Sequence, residues 1–268
     1  NALAYASRQF GESLESKIDR RIISKNISIT ASPLQKEYSG IDLIGNHGID
    51  AEGVVPKAKI VLVQDGMLKT LLSNRTPTLG VSESNGHSRR VIGSGSGAGT
   101  GPSVINVIAA AGLTSDQLKK EIIQAAKDEG LEYGIIVRKI KSIVTGKTPA
   151  LDRLIFDSQN QQKKNLEKSI YVYKIYVKDG REELIRSAEI VDPSISSLRH
   201  ILGASKNQVL LNNLMPMNSQ SAAYSVDGIP ASFITPAGLI IEELEVRKEK
   251  RNYIPKPPFV TSPLSLSK

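Results

Sequence analysis

The chain of 268 residues contains no cysteine and no tryptophan. Without cysteine neither a disulfide nor a thiolate metal site can form, although the redox compartment stays open. Aromatic residues make up 4% of the chain against 40% apolar residues in all, so its core must be mostly aliphatic. Long apolar runs are missing too. The longest, Val104 to Leu113, is interrupted by Asn106 and reaches only half of the ~20 residues that a membrane-spanning helix requires. Charge of one sign is present in excess but never gathered. Lys and Arg outnumber Asp and Glu by 2, 1, 2, 1 and 2 across residues 1–40, 41–90, 91–150, 151–200 and 201–268. A net charge of +8 spread in this way lacks the basic stripe of a phosphate-backbone binder, so nucleic acid is not the expected partner. Arg138, Lys139, Lys141 and Lys147 come close together in sequence. Gly146-Lys147-Thr148 copies the end of a phosphate-binding loop, but Lys141 stands where that loop needs glycine and Pro149 where its helix should begin, which excludes nucleotide binding there.

What is present is densest between Ser39 and Arg90. Ile60 to Val63 is an apolar, largely β-branched run, Asp65-Gly66 tolerates the positive φ angles of a tight turn, and Met67 to Leu72 returns; a β-hairpin is expected over Lys59–Leu72. Ahead of it, Gly48-Ile49-Asp50-Ala51-Glu52-Gly53 places two carboxylates between glycines, where the backbone turns sharply and a side chain can face a ligand. Behind it, Gly86-His87-Ser88-Arg89-Arg90 ends in two cations.

The motif Ile49-Asp50-x-Glu52-Gly53-Val54, the hairpin Val61-Leu62-Val63-x-Asp65-Gly66-x-Leu68-Lys69 and the Gly86-x-x-Arg89-Arg90 loop together resemble the C-terminal domain of the TldD/PmbA proteins. Pro236 to Val246 is similar to that family's terminal strand. Members are called modulators of DNA gyrase or peptide-maturation proteases, and the active ones are zinc metallopeptidases. The resemblance implies an α+β, β-rich fold of long twisted antiparallel sheets with a few flanking helices. It also implies an α/β domain upstream, as the opening Asn1-Ala2-Leu3 suggests in its own way. A cytoplasmic dimer with a second family subunit, enclosing a cavity for a peptide or unfolded polypeptide, is the expected assembly.

Leu3, Ala6, Phe10, Leu14 and Ile18 fall on one face of a helix expected over 1–20. In active relatives the corresponding helix reads His-Glu-Ala-Phe-Gly-His-Ala-Leu-Glu, and its histidines bind zinc while its first glutamate acts as base. Here the stretch is Ser7-Arg8-Gln9-Phe10-Gly11-Glu12-Ser13-Leu14-Glu15. The framework is kept, but Ser7, Arg8 and Glu12 replace the motif, and Arg8 places a permanent cation where the catalytic glutamate belongs. The family's third ligand, a cysteine, has no counterpart. A chain without zinc or other cofactor, catalytically silent, is therefore expected. His87, Arg89 and Arg90 would meet a peptide's carboxylates or carbonyls, and Asp50 and Glu52 would shape the entrance. One alternative is an active zinc peptidase using His47, His87 and Glu52; another is the DNA-gyrase modulator of the family's name.

Elsewhere, a half-buried strand is expected over Ile23–Ala31 and a mobile loop over the alternating glycines of 93–101. Ser103–Ala110 reads as a strand, and Thr114-x-x-Gln117 opens a helix that stops at Gly130. Tyr133–Val144 is strand-like, and Gln159–Lys168 reads as an exposed polar excursion. Ser169–Val177 carries a tyrosine stripe into a second hairpin at Asp179-Gly180. A short helix over Ser194–Gly203, irregular chain over Asn207–Gln220, a turn at Val226–Pro230 and a sheet-closing strand over Leu239–Val246 follow. Residues 1–251 read as one β-rich domain and 252–268 as an extended proline-rich tail.

Overall fold

The structure, a computed structural model, describes residues 14–78, 80–90, 92, 98–140, 169–185, 188–190, 197–215, 228–243 and 246–248. Positions 7, 8 and 12, the excursion 159–168 and the tail 252–268 lie outside the described residues. The Asp65-Gly66 turn shows how local chemistry fixes the fold. Both residues adopt positive φ, 49° and 80°, and join β4 (Ile60–Gln64) to β5 (Met67–Leu68) in the two-residue hairpin that such angles permit. A Cβ on Gly66 would stand 2.5 Å from the Ile23 carbonyl, so glycine is required for space as well as for φ. The return strand is shorter than expected. Leu68 already exchanges backbone bonds with Asp19 and Arg20 on its far side, and the chain beyond Lys69 turns away.

β1 (Ile27–Ala31) pairs antiparallel with both β4 and β8 (Val104–Ala109). It starts later than the alternation predicts because Ser24 makes a turn instead, accepting from Ile27 N at 3.0 Å while its hydroxyl bonds the Ile201 carbonyl at 2.9 Å. β15 (Gln208–Met215), β16 (Ile229–Pro236), β8, β1, β4 and β5 form, in that order, a six-stranded sheet. All its pairings are antiparallel except β16 with β8, which run parallel. Ala31, Ile60 and Ile105 pack on one face of this sheet beside Phe233, and Val104 and Ile234 on the other beneath Leu43, Tyr38 and Leu210. A further cluster joins Ile27, Val63 and Leu68 to Leu14, Ile23, Ile201 and Ala204. The core is aliphatic, as the shortage of aromatics requires.

Thr114 caps α1 (Ser115–Asp128), and its reciprocal bonds with Gln117 form the expected capping box. Gly130, at φ 67°, ends the helical stretch. The helix lies against an antiparallel sheet of β10 (Tyr133–Ile140), β11 (Ser169–Tyr176) and β12 (Glu182–Ile185), where Gly134 leaves room for Ile122.

Three expectations are corrected. Ser194–Gly203 does not form a helix as a whole: Ser197–His200 makes one 3-10 turn and then passes into strand β14 (Ile201–Ser205), where Gly203 admits Leu113 against the backbone. Asn207–Gln220 is not irregular through its first half, because β15 occupies Gln208–Met215. Its paired asparagines disfavour a strand by propensity, but Asn212 accepts from the Ser232 hydroxyl at 2.7 Å and donates to the Asp42 carbonyl at 2.8 Å. Finally, Leu239–Val246 does not close the large sheet. β17 (Leu239–Ile241) joins β14 and β9 (Gly112–Leu113) in a separate sheet, and β18 (Val246–Lys248) pairs with β13 (Ala188–Ile190). Of the N-terminal helix, the described end is a 3-10 turn, Leu14–Lys17, with Leu14 buried and Ile18 packed on the core as their spacing predicts.

Candidate functional site

Asp50 is 7% exposed and acts as a staple. Its Oδ1 accepts from the backbone amides of Glu52 at 2.9 Å and Val54 at 2.8 Å, and its Oδ2 accepts from Ser88 N at 3.1 Å. An Asp two to four residues before the amides it binds is a common turn device. Here it also ties the turn to β6 (Ser88–Arg90), which pairs with β7 (Ala98–Thr100) at the described end of the glycine-rich stretch. Ala51 N adds a bond to the Ser88 carbonyl at 2.8 Å. Glu52 turns the other way, its Oε2 accepting from Arg75 N at 2.8 Å.

His87 is enclosed, with no exposed surface. Its Nδ1 lies 3.2 Å from the Asn85 carbonyl and 3.1 Å from Asn85 Oδ1; its Nε2 lies 2.9 Å from Ser103 Oγ. The Asn85 amide is oriented by Ser73 N, which donates to its Oδ1 at 2.9 Å, and by the Leu71 carbonyl, which accepts from its Nδ2 at 2.8 Å. Nδ1 of His87 therefore carries the proton and Nε2 accepts from Ser103. Burial holds the imidazole neutral and pushes its pKa down to about 4, against the raising effect of the Asn85 carbonyl. The hydroxyl-imidazole-amide order is that of a nucleophile, a base and its orienting group, yet Ser103 is as fully buried as His87 and no substrate can reach it.

His47 stands edge-on to His87, ring centroids 5.6 Å apart. Its Nε2 bonds the Gly86 carbonyl at 2.9 Å and its Nδ1 lies 3.3 Å from the Gly45 carbonyl. Burial lowers its pKa, and the nearby Arg89 cation acts in the same direction. Gly45 is wedged so tightly that a Cβ would strike the Ser103 carbonyl and stand 2.7 Å from Ser232 N. Arg89, 9% exposed, donates through Nη2 to the Pro230 carbonyl at 2.9 Å and to the Gly45 carbonyl at 3.4 Å, while its buried Nε has no partner among the described residues. The neighbouring Asp50 carboxylate offsets part of the cost of burying this guanidinium. Arg90 is exposed.

The structure thus gathers Asp50, His87 and Arg89 with His47 into one buried polar cluster, leaves Arg90 on the surface and points Glu52 toward the 75 loop. Ser73, Asn85 and Ser103 complete the cluster and escape sequence reasoning, since serines and asparagines carry no spacing signal. The His47, His87 and Glu52 set does not suit zinc: ring nitrogens face carbonyls and a hydroxyl, and the carboxylate is bonded elsewhere. Among the described residues no three of His, Asp and Glu come together in a metal-holding group, and no helix is long and apolar enough to cross a membrane.

No curated protein matches the sequence. Among solved structures, the fold is similar to that of a proposed modulator of a DNA gyrase from Thermotoga maritima MSB8, with a TM-score of 0.53 at 17% identity, over 91% of this chain and 44% of that one. It is similar also to TldE from Thermococcus kodakarensis, with a TM-score of 0.52 at 18% identity, over 90% and 44%. This chain therefore spans less than half the length of either. The model of the PmbA/TldA metallopeptidase C-terminal domain matches residues 3–248, and the chain belongs to that family.

Proposed function

We propose that the chain is a zinc-free subunit of a TldD/PmbA-type cytoplasmic peptidase assembly, binding peptide or serving as scaffold beside a second family subunit. The observation that carries this reading is the opening motif. Ser7, Arg8 and Glu12 occupy the places of two imidazoles and a base, and a guanidinium that stays protonated at any working pH neither abstracts a proton nor tolerates a divalent ion beside it. The missing cysteine removes the third ligand.

For the peptide, Arg90 is the group with donors free to reach a carboxylate or backbone carbonyl, being exposed at the end of β6. Direct contact, expected of His87 and Arg89 from sequence, passes in this reading to Arg90. His87, Arg89 and Asp50 hold the loop that presents it, and Glu52 fixes the adjoining 75 loop.

Metal analysis of the purified chain after equilibration with zinc tests the reading. We expect well under one zinc per chain and no peptidase activity from the chain alone. Stoichiometric zinc that disappears in His47→Ala would overturn it. Capture of a second family member with an intact His-Glu-x-x-x-His helix would identify the active partner.

A further inference from the structure

Both ring nitrogens of His47 face backbone carbonyls, Nε2 that of Gly86 at 2.9 Å and Nδ1 that of Gly45 at 3.3 Å. A neutral imidazole has one N–H to give. The shorter contact takes it, so the Nδ1 lone pair is set against the Gly45 oxygen, and only an imidazolium would donate to both. The same Gly45 oxygen already accepts from Arg89 Nη2 at 3.4 Å. It cannot shift to suit either donor. Gly45 N is held on Ser232 Oγ at 2.9 Å, and the residue lies too close to the Ser103 carbonyl to admit even a Cβ. Arg89 is less constrained: its Nη2 also holds the Pro230 carbonyl at 2.9 Å, and its Nε has no partner among the described residues. The titratable and charged groups that face His47 are His87, edge-on at 5.6 Å, Arg89 and Asp50. The Asp50 carboxylate is already committed to three backbone amides. A second positive charge in this enclosure therefore meets one cation and one occupied anion.

We infer that His47, the Gly45 carbonyl and Arg89 form a proton-operated latch on the β6–β7 pair. At neutral pH Arg89 holds the Gly45 carbonyl and so ties β6 to the segment around Gly45 and, through Pro230, to β16. When His47 takes up a proton, its Nδ1–H claims that carbonyl and the new charge repels the guanidinium. Arg89 is left with the Pro230 bond, and the β6–β7 pair, whose end carries Arg90, opens more often. Burial, aided by the Arg89 charge, brings protonation of His47 below the ordinary 6.5. The latch is therefore shut at neutral pH and released in acid. His87, whose pKa is about 4, stays neutral through most of that range and is not the trigger. The latch regulates the peptide site proposed above and rests on that reading for its consequence, whereas the opening of β6–β7 needs no peptide.

Hydrogen exchange of the intact chain from pH 7.5 to pH 5, corrected for the intrinsic chemical rate, tests it. The informative amides are Ser88 N, held by Asp50, and Gly101 N, held by the His87 carbonyl. Their protection should fall roughly tenfold on acidification and stay below that of the β1–β4 pair, the mark of local opening. The midpoint of this fall should coincide with the titration of the His47 ring followed by NMR. In His47→Gln, whose amide can donate to the Gly86 carbonyl but takes up no proton, most of the fall should be missing. Should that variant not fold, the two wild-type midpoints still decide. Protection that does not respond to pH, a midpoint apart from that of His47, exchange no faster than in β1–β4, or an undiminished fall in folded His47→Gln overturns the inference. Fluorescence anisotropy with an acidic peptide reads the consequence, a severalfold weaker affinity at pH 5. A peptide bound at neither pH would sink the peptide-site reading and leave the latch standing, whereas a bound peptide beside an unresponsive β6–β7 pair would do the reverse.

Discussion

His87 is an acid-sensitive point in the fold. An imidazole in the unfolded chain takes up its proton near 6.5, whereas the enclosed His87 does so only near 4. Between these values the unfolded state binds more protons, so stability is complete above 6.5, falls as the pH drops through this window, and stops falling on this account below 4. The full effect is roughly 3 kcal/mol, and His47, lowered in the same direction, adds to it. Urea unfolding of the wild type followed from pH 7 to pH 4 should show this loss, and in His87→Gln the slope should be visibly shallower. An unchanged slope would mean that His87 is hydrated in the folded protein. Asp50 supports the same cluster by a different means. Asp50→Ala leaves three backbone amides without their acceptor, and we expect a loss of about 3 kcal/mol in denaturant unfolding. Arg90→Ala, at an exposed position, should leave stability within about 0.5 kcal/mol of wild type. It should weaken binding of an acidic unfolded peptide severalfold in fluorescence anisotropy. Peptide affinity unchanged in Arg90→Ala would move the binding surface elsewhere.

At the scale of elements, local chemistry and long-range pairing part company. Gly66→Ala puts a Cβ against the Ile23 carbonyl at a φ of 80°, so it should cost about 2 kcal/mol or more in a thermal or denaturant melt. Thr114→Ala, which breaks the capping box, should cost about 1 kcal/mol. These two sites were legible because Asp-Gly and Thr-x-x-Gln encode their geometry within four residues. β15 was not legible, since its asparagines argue against a strand and their satisfaction comes from Ser232 and Asp42, far off in sequence. The strand over Ile201–Ser205 was hidden likewise, because Ile195, Leu198, Ile201 and Leu202 share a helical spacing, while pairing with β17 and β9 decides the outcome. The site was half legible. The segments 48–53 and 86–90 do come together, but which of their side chains are enclosed depends on Ser73, Asn85 and Ser103, whose part is set only by the folded arrangement.

For the whole molecule, the question is whether a charge of +8 makes it a binder of DNA, as a relative's name suggests. Of the basic group Arg138, Lys139, Lys141 and Lys147, the structure pairs the charge of Arg138. Both terminal nitrogens of Arg138 reach Glu182, at 2.7 and 3.0 Å, and Lys119 joins the same carboxylate at 2.8 Å. Arg181 lies 3.7 Å from Glu183, and Lys69 lies 3.2 Å from Asp19. Exposed pairs of this kind add little stability, but they remove cations from any field that would steer a polyanion. A protein with six to ten phosphate contacts loses about 10³ to 10⁵ in affinity between 50 and 200 mM salt. For this chain, engaging a duplex through two or so scattered lysines, the same change of salt should weaken retention by roughly tenfold or less. Titration of a fluorescent duplex at several salt concentrations measures that slope directly, and a steep one would show that the folded chain presents a basic face.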